Sequence, residues 1–562
     1  MQILQKLEHW IEKNTISNAF LWVIFILWSL FVSNLWLPRN WGFYGHHDWD
    51  LTYSTFEAAR KCIVEFHQFP TYNPYSSFGT DFWSNPQSVH LSMYLIPVLL
   101  FGTFYGYKVS IIAGILIGLW GSYKLFFTFN KQASTSVVLS FLFVGSAYFS
   151  RHVFEAGHSN VLFYYLLPYS LLFFHQIIHK KNLWSYIKFT LILVQIIIGG
   201  APFVFISIAI LLGLWIIGIS ISQKQFKLNY AFIFISTMLL SIGLSMFKLY
   251  PVIQHWSDYP RLVKEDSGIS LLTWFQSLAD FNTDTRTWHD WFEFSLGINL
   301  SLFVLFIYFF KQLNHGKLWL IMAIPLVWIC LGNSPNIVNP WYFLNEYVPV
   351  FKSLRAPYRF GILVVFSFYL ALSFILKNTQ HIKWVNLLLF VVLLSQTLHY
   401  NSVSKCMVNG PRIEEKQISM LDKNQPKPKV LSQKDYRNQF RYVKANYMVL
   451  NAYEPMQLHS VHDTLNQLVT GAKVIKFLPN YLKLELIDSI SFINYRYSSN
   501  WKIKSGKAML KEDNGLTKVL KNDHTIELQY TNNEVKVGVF YTLIALILLV
   551  ITFFVYKIKY QI

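Results

Sequence analysis

Charge is what this chain has least of. Charged residues make up 14% of 562 positions, whereas a soluble domain carries roughly 25%. Acids are scarcer than bases, with 29 Asp and Glu against 48 Lys and Arg. So few charges cannot clothe a chain of this length in water, and an ordinary soluble enzyme is excluded. Cysteine is nearly absent too. Cys62, Cys330 and Cys406 show no CxxC and no Cys/His spacing, so neither a zinc site nor a disulfide framework is implied. The opening MQILQKLEHWIEKN lacks a signal-peptide cleavage site, so the first apolar run is expected to stay as a membrane helix.

Apolar sequence is abundant instead, at 53% hydrophobic and 18% aromatic residues with a mean hydropathy of +0.34. The net charge of +19 would point to nucleic acid in a soluble protein. Here the bases sit in short loops between apolar runs or in a C-terminal polar segment, so no nucleic-acid partner is expected.

The fold class read from this pattern is an α-helical polytopic membrane protein of about 12 transmembrane helices, with a small extracytoplasmic β-rich domain before the last helix. The expected spans are 17–37, 89–128, 134–150, 159–178, 183–199, 202–222, 229–250, 294–310, 317–332, 360–376, 383–400 and 537–556. With the N-terminus in the cytoplasm, the links at 129–134, 179–182, 223–227, 311–317 and 377–383 and the tail KIKYQI are short, basic and free of acids. The long loops 38–88, 251–293, 333–359 and 401–536 carry the acids and lie outside, as the positive-inside rule requires. This orientation allows 89–128 only one crossing, with VHLSMYLIPVLLFG as an interfacial or kinked lead-in. The domains are then a core at 1–400, an extracytoplasmic linker and β-rich unit at 401–536, and a final helix and cytoplasmic tail at 537–562. In the β-rich unit, YLKLELI and TIELQY alternate with period two, placing Leu482, Leu484 and Leu486 on one face, and Ile526 and Leu528 likewise.

The first outer loop holds the densest chemistry. WGFYGHHDWDLTYSTFEAARKC carries Asp48 and Asp50 as a DxD pair beside His46 and His47. Paired carboxylates at a membrane surface can hold a divalent cation, Mg or Mn, or one can act as general base on an acceptor hydroxyl. The rival is a pair of solvated loop acids. Glu57 and Arg60 follow at helical spacing and either line the same cavity or pair with each other. In FPTYNPYSSFGTDFWSNPQS, the polar groups of Asn73, Asp81, Asn85 and Gln87 are set among Tyr75, Phe78 and Trp83. That mixture suits a sugar, and turn chemistry is its plainer explanation. SRHVFEAGHSN places Arg151, His152, Glu155 and His158 near the outer face. FKSLRAPYRFG brings Lys352, Arg355 and Arg359 there. These cations suit a lipid phosphate, with a salt bridge to Asp48, Glu57 or Glu155 as the alternative.

Several of these segments together resemble the YfhO-like bacterial membrane proteins. FPTYNPYSSFGTDFWSNPQS is similar to that family's "PLWNPY…GGTPF…NPQ" signature, and SLRAPYRF to its "FRAPARF". GHSNVLFYYLLP, GNSP and INYRYSSNWKIKSGK extend the likeness along the chain. Asn500 and Lys504-Ser505-Gly506 depart from the family's Gly and Val-Asp-Gly. The family resembles C-type glycosyltransferases. The resemblance implies transfer of a sugar from a polyprenyl-phosphate donor to a cell-envelope acceptor, such as a teichoic acid, lipid or polysaccharide, at the outer face of the cytoplasmic membrane. It assigns Asp48 or Asp50 as base or metal ligand. On this reading His47, Glu57, Asn73, Asp81, Asn85, Gln87, Glu155, His158, Arg355 and Arg359 line the substrate site. The alternatives are a flippase of a lipid-linked envelope precursor and a non-catalytic assembly factor.

Overall fold

The structure is a computed structural model that describes residues 18–34, 47–256, 268–278, 293–313, 316–333, 339–348, 351, 354, 356–379, 382–405, 418–431, 438–450 and 467–560. It is mostly helical, with a β-rich unit before the last helix. Among the described residues, six helices are long and apolar enough to cross a membrane, or eight if each of two bent pairs counts as one span. The long helices are Leu95–Asn130, Ser159–Lys180, Pro202–Ser222, Pro357–Lys377, Lys383–Lys405 and Asn533–Thr552. The bent pairs are Ala133–Val144 with Ala147–Glu155 at 42°, and Leu228–Leu244 with Met246–Gln254 at 76°. Asn18–Ser33, Leu183–Ile198 and Gly316–Cys330 are shorter apolar helices.

Breaks within these helices have identifiable causes. Gly102 leaves helical geometry at φ 75°, ψ 164° inside Leu95–Asn130, which a residue with a Cβ would resist. The lead-in folds back so closely that a Cβ on Gly106 would lie 2.3 Å from the Pro97 carbonyl oxygen. Ser110 Oγ donates to the Tyr94 carbonyl across that bend at 2.8 Å. The apolar run 294–310 departs from the expected span, because it is helical only over Ser301–Tyr308 and the tight turn Phe310–Leu313. Leu296 and Ile298 instead donate their amides to Ser277 and Leu278 at the end of the Leu271–Leu278 helix. That backbone pairing, with Gly297 at φ 64° against Ala147, replaces the helix.

The β-rich unit contains two four-stranded antiparallel sheets. In one, Ala472–Leu478, Tyr481–Leu486, Thr525–Tyr530 and Trp501–Ser505 lie side by side. In the other the order is Ala508–Asp513, Leu516–Lys521, Ile490–Arg496 and Val469–Thr470. Leu482, Leu484, Leu486, Ile526 and Leu528 are buried, as their alternation predicts. Tyr495 stacks on Trp501 at 5.7 Å between the sheets.

This unit is joined to the 69–88 loop through Asp81. Its Oδ1 accepts from the amides of Trp83 (2.5 Å) and Ser84 (3.0 Å), and its Oδ2 from Tyr530 Oη (2.7 Å) and Asn532 Nδ2 (2.8 Å). Tyr72 packs among Tyr495, Trp501 and Tyr530 in the same seam. From the other side, Nζ of buried Lys248 lies 2.6–2.9 Å from the carbonyl oxygens of Phe82, Trp83 and Asn85 and from Ser88 Oγ, four acceptors that share its three hydrogens. Removing a buried charged acceptor leaves its donors unsatisfied. Asp81→Ala is therefore expected to cost about 3 kcal/mol of stability, and Asp81→Asn less. Thermal unfolding followed by tryptophan fluorescence checks this, and wild-type stability in Asp81→Ala would refute the joint.

Candidate functional site

Asp48 and Asp50 stand at the start of the Trp49–Arg60 helix, Asp48 at its N-cap and Asp50 in its first turn. Residues two apart on a helix do not share a face, so the carboxylates diverge. Asp50 is buried, and its Oδ2 and Oδ1 accept the amides of Gln439 (2.7 Å) and Phe440 (2.9 Å). It thus caps the Gln439–Lys444 helix and pins that helix to Trp49–Arg60, beside a Tyr53–Phe440 ring contact at 5.3 Å. Lys61 strengthens the joint by donating to Asn446 Oδ1 and to the Lys444 carbonyl. Burial pushes the Asp50 carboxyl up to about 6, although the amides of Phe440 and Gln439 pull it down.

Asp48 faces the other way. Its Oδ2 lies 3.3 Å from Nε2 of His158, whose Nδ1 lies 3.0 Å from Nδ1 of buried His152. Two ring nitrogens can share only one proton, so one of these histidines accepts from the other. Backbone contacts hold the line in place. The Asp48 amide donates to the Ala156 carbonyl at 2.9 Å, and Thr52 Oγ1 donates to that of Gly157. Gly157 has φ 76°, and a Cβ there would meet Trp49 at 2.7 Å.

Alongside runs a buried ion pair. Arg359 donates to both carboxylate oxygens of Glu293, through Nε at 2.7 Å and through Nη2. Burial would raise the Glu293 carboxyl, but the Arg359 guanidinium and the fields of His158 and His152 hold it well below the usual carboxylate range. Tyr148 packs on His152 with ring centres 4.3 Å apart and planes tilted by 52°, and its hydroxyl donates to the Arg359 carbonyl at 3.2 Å. Glu293 is the residue that sequence reasoning missed. Its signal was an acid immediately before an apolar run, at the end of an outer loop.

The other expected residues go elsewhere. Glu57 pairs with Arg60 through two hydrogen bonds of 2.7 and 2.9 Å and accepts from Thr103. Burial pushes Glu57 up, but these partners hold it below the ordinary carboxylate range. Glu155 is buried and paired with Arg151 at 2.7 Å. Asn73 and Asn85 each close a turn, accepting the amides of Tyr75 and Gln87. Tyr75 and Phe78 are core side chains, whereas Trp83 is half-buried. Gln87 is exposed, and His47 has the left-handed φ of 47° just before the helix. His46, Lys352 and Arg355 lie outside the described residues.

The expected two-carboxylate cation site does not fit this geometry, because both Asp50 oxygens are taken by amides. Among the described residues no three His, Cys, Asp or Glu side chains gather as a metal site.

No family model and no curated protein matches the chain. Three solved structures of Archaeoglobus fulgidus oligosaccharyltransferase are similar in shape. AglB in complex with an inhibitory peptide and a dolichol-phosphate gives a TM-score of 0.44 at 10% identity over 80% of this chain and 66% of that one. The complex with Zn and sulfate gives 0.43 at 10% over 78% and 63%, and the apo form 0.41 at 11% over 78% and 65%. The chain thus spans just under two thirds of the length of the structures it matches.

The Asp50 cap makes a pH prediction. An aspartate in the unfolded chain titrates near 3.8, below the folded value of about 6. Between these values the folded state binds the extra proton. Its stability should therefore fall as pH rises from about 4 to 6, by up to about 3 kcal/mol, and then level off. Asp50→Asn should lack this slope. Melting temperatures of purified wild type and variant from pH 4 to 8 test it, and parallel curves throughout would refute it.

Proposed function

We propose that the chain is a membrane glycosyltransferase, moving a sugar from a polyprenyl-phosphate donor to a cell-envelope acceptor. The observation that carries this reading is the Asp48–His158–His152 line beside the Glu293–Arg359 pair. It is a partly exposed carboxylate backed by imidazoles and a guanidinium. The likeness of several loop segments to the YfhO-like proteins supports the same class. On this reading the termini are cytoplasmic, about twelve segments cross the membrane, and the site opens outside.

Asp48 then takes the proton from the acceptor hydroxyl as that oxygen bonds to the anomeric carbon of the sugar. The bond from that carbon to the lipid phosphate oxygen breaks, and its electron pair leaves with the phosphate. His158 holds Asp48 in position and places imidazole beside the developing charge. Glu293 uses two of the five donors on Arg359, so the guanidinium keeps others for a phosphate oxygen. Arg355 is proposed as a second phosphate contact. Asp50 acts by positioning.

A general base contributes roughly 10²–10⁴-fold to rate. Asp48→Asn should therefore lose sugar transfer by about that factor while keeping expression and melting temperature. Mass spectrometry of envelope glycans and lipid-linked sugars from cells with no protein, wild type or Asp48→Asn reads the outcome. Wild-type glycan profiles in Asp48→Asn would sink the proposal. Donor movement across proteoliposomes without transfer would point to the flippase.

A further inference from the structure

One face of the C-terminal unit takes no part in the site. The Tyr481–Leu486 and Thr525–Tyr530 strands send Leu482, Leu484, Leu486, Ile526 and Leu528 inward. Their registers leave Tyr481, Lys483, Glu485, Glu527 and Gln529 on the outward face. Lys473 stands opposite Glu485 and Lys476 opposite Lys483 on one flank, and Lys502 opposite Gln529 on the other. Lys504 follows next to the irregularity beside Glu527. Five lysines therefore share this face with two glutamates, and Lys483 satisfies Glu527 at 3.1 Å. Lys473, Lys476, Lys502 and Lys504 are exposed. The ammonium groups of Lys476 and Lys504 lie 5.9 and 5.7 Å from the centre of the Tyr481 ring, so the cations converge on one aromatic residue.

We propose that this basic face binds the phosphates of anionic lipids in the adjoining membrane leaflet, seating the C-terminal unit on the membrane. The position of the face selects this partner. Thr525–Tyr530 runs into the last helix, Asn533–Tyr560, after only Thr531 and Asn532. The chain from Gln529 to Val537, where the uninterrupted apolar run of the last helix begins after Lys536, can reach no more than about 20 Å, part extended and part helical. The headgroup layer occupies the outer several ångströms of that span. The Tyr481–Lys502 end of the sheet therefore stands within roughly a Debye length of lipid phosphate, where lysine is attracted to an anionic surface. Tyrosine at its centre suits the membrane–water boundary. A soluble polyanion would meet the same charges but has no reason to find them at this height. The inference rests on the sheet and the last helix, and stands apart from the sugar-transfer reading.

The test uses the full chain with Gln529→Cys in a Cys406→Ser background, Cys62 and Cys330 being buried. A fluorophore at position 529 is read in vesicles of phosphatidylcholine, alone or with phosphatidylglycerol, carrying a headgroup nitroxide quencher. Quenching is expected to rise severalfold with phosphatidylglycerol and to fall at high salt. It should also be lost in Lys476→Glu/Lys502→Glu/Lys504→Glu protein that melts like wild type. Quenching that is absent, or the same in both lipids, overturns the proposal. So does a label that responds to soluble polyphosphate but not to phosphatidylglycerol. The lipid and salt arms decide the matter on unmutated lysines even if the triple variant fails to fold.

Discussion

The buried carboxylate of Asp81 is the contact on which the join between the helices and the β-rich unit depends. It ties two amides of the 69–88 loop to Tyr530 and Asn532, at the point where the C-terminal sheet hands over to the last helix. Lys248 grips the same loop from the helical side through three carbonyls and a hydroxyl. A loop rich in Pro, Gly and Asn would otherwise be free to vary. Held between a satisfied anion and a satisfied cation, it becomes a rigid spacer between the helices and the β-rich unit. Both groups are buried, so losing either leaves its own hydrogen-bond partners unsatisfied.

From that spacer the site follows. The Trp49–Arg60 helix is fixed at one end by the Asp50 cap on Gln439–Lys444 and further along by Glu57 on Arg60 and Thr103. Those contacts leave Asp48 pointing at His158. Chain segments far apart in sequence then supply its neighbours: His152 from a broken helix, His158 from the short loop after it, Glu293 from the end of a loop, and Arg359 from a tight turn before a long apolar helix. Most of the ionisable groups that cluster at this end are used to hold backbone and helices together. The few that face one another across segments form the candidate chemistry.

Alternation in YLKLELI and TIELQY was legible because a strand with one buried face must repeat every two residues, and the sheet buries those positions. The long apolar helices were legible for the corresponding reason: a run such as 202–222 has no other way to satisfy its backbone in lipid. The run 294–310 was misread because hydropathy records burial and not conformation. Its first residues are buried in extended form, paired to the end of another short helix. The DWD motif was found, but its division was not. Whether a carboxylate is a cap or a reactive group depends on what arrives opposite it, and the amides of Gln439 and Phe440 come from nearly four hundred residues away.

The sequence by itself determined that this is a membrane-embedded helical protein with a β-rich C-terminal unit. Composition and periodicity are set by the solvent each segment must meet, and that is a local property. Only the tertiary structure decided that Asp48 meets His158, that Asp50 and Asp81 hold parts together, and that Glu293 is the partner of Arg359. A charge in a low-dielectric interior is defined by its neighbours, and those neighbours are brought by the fold and not by the chain around it.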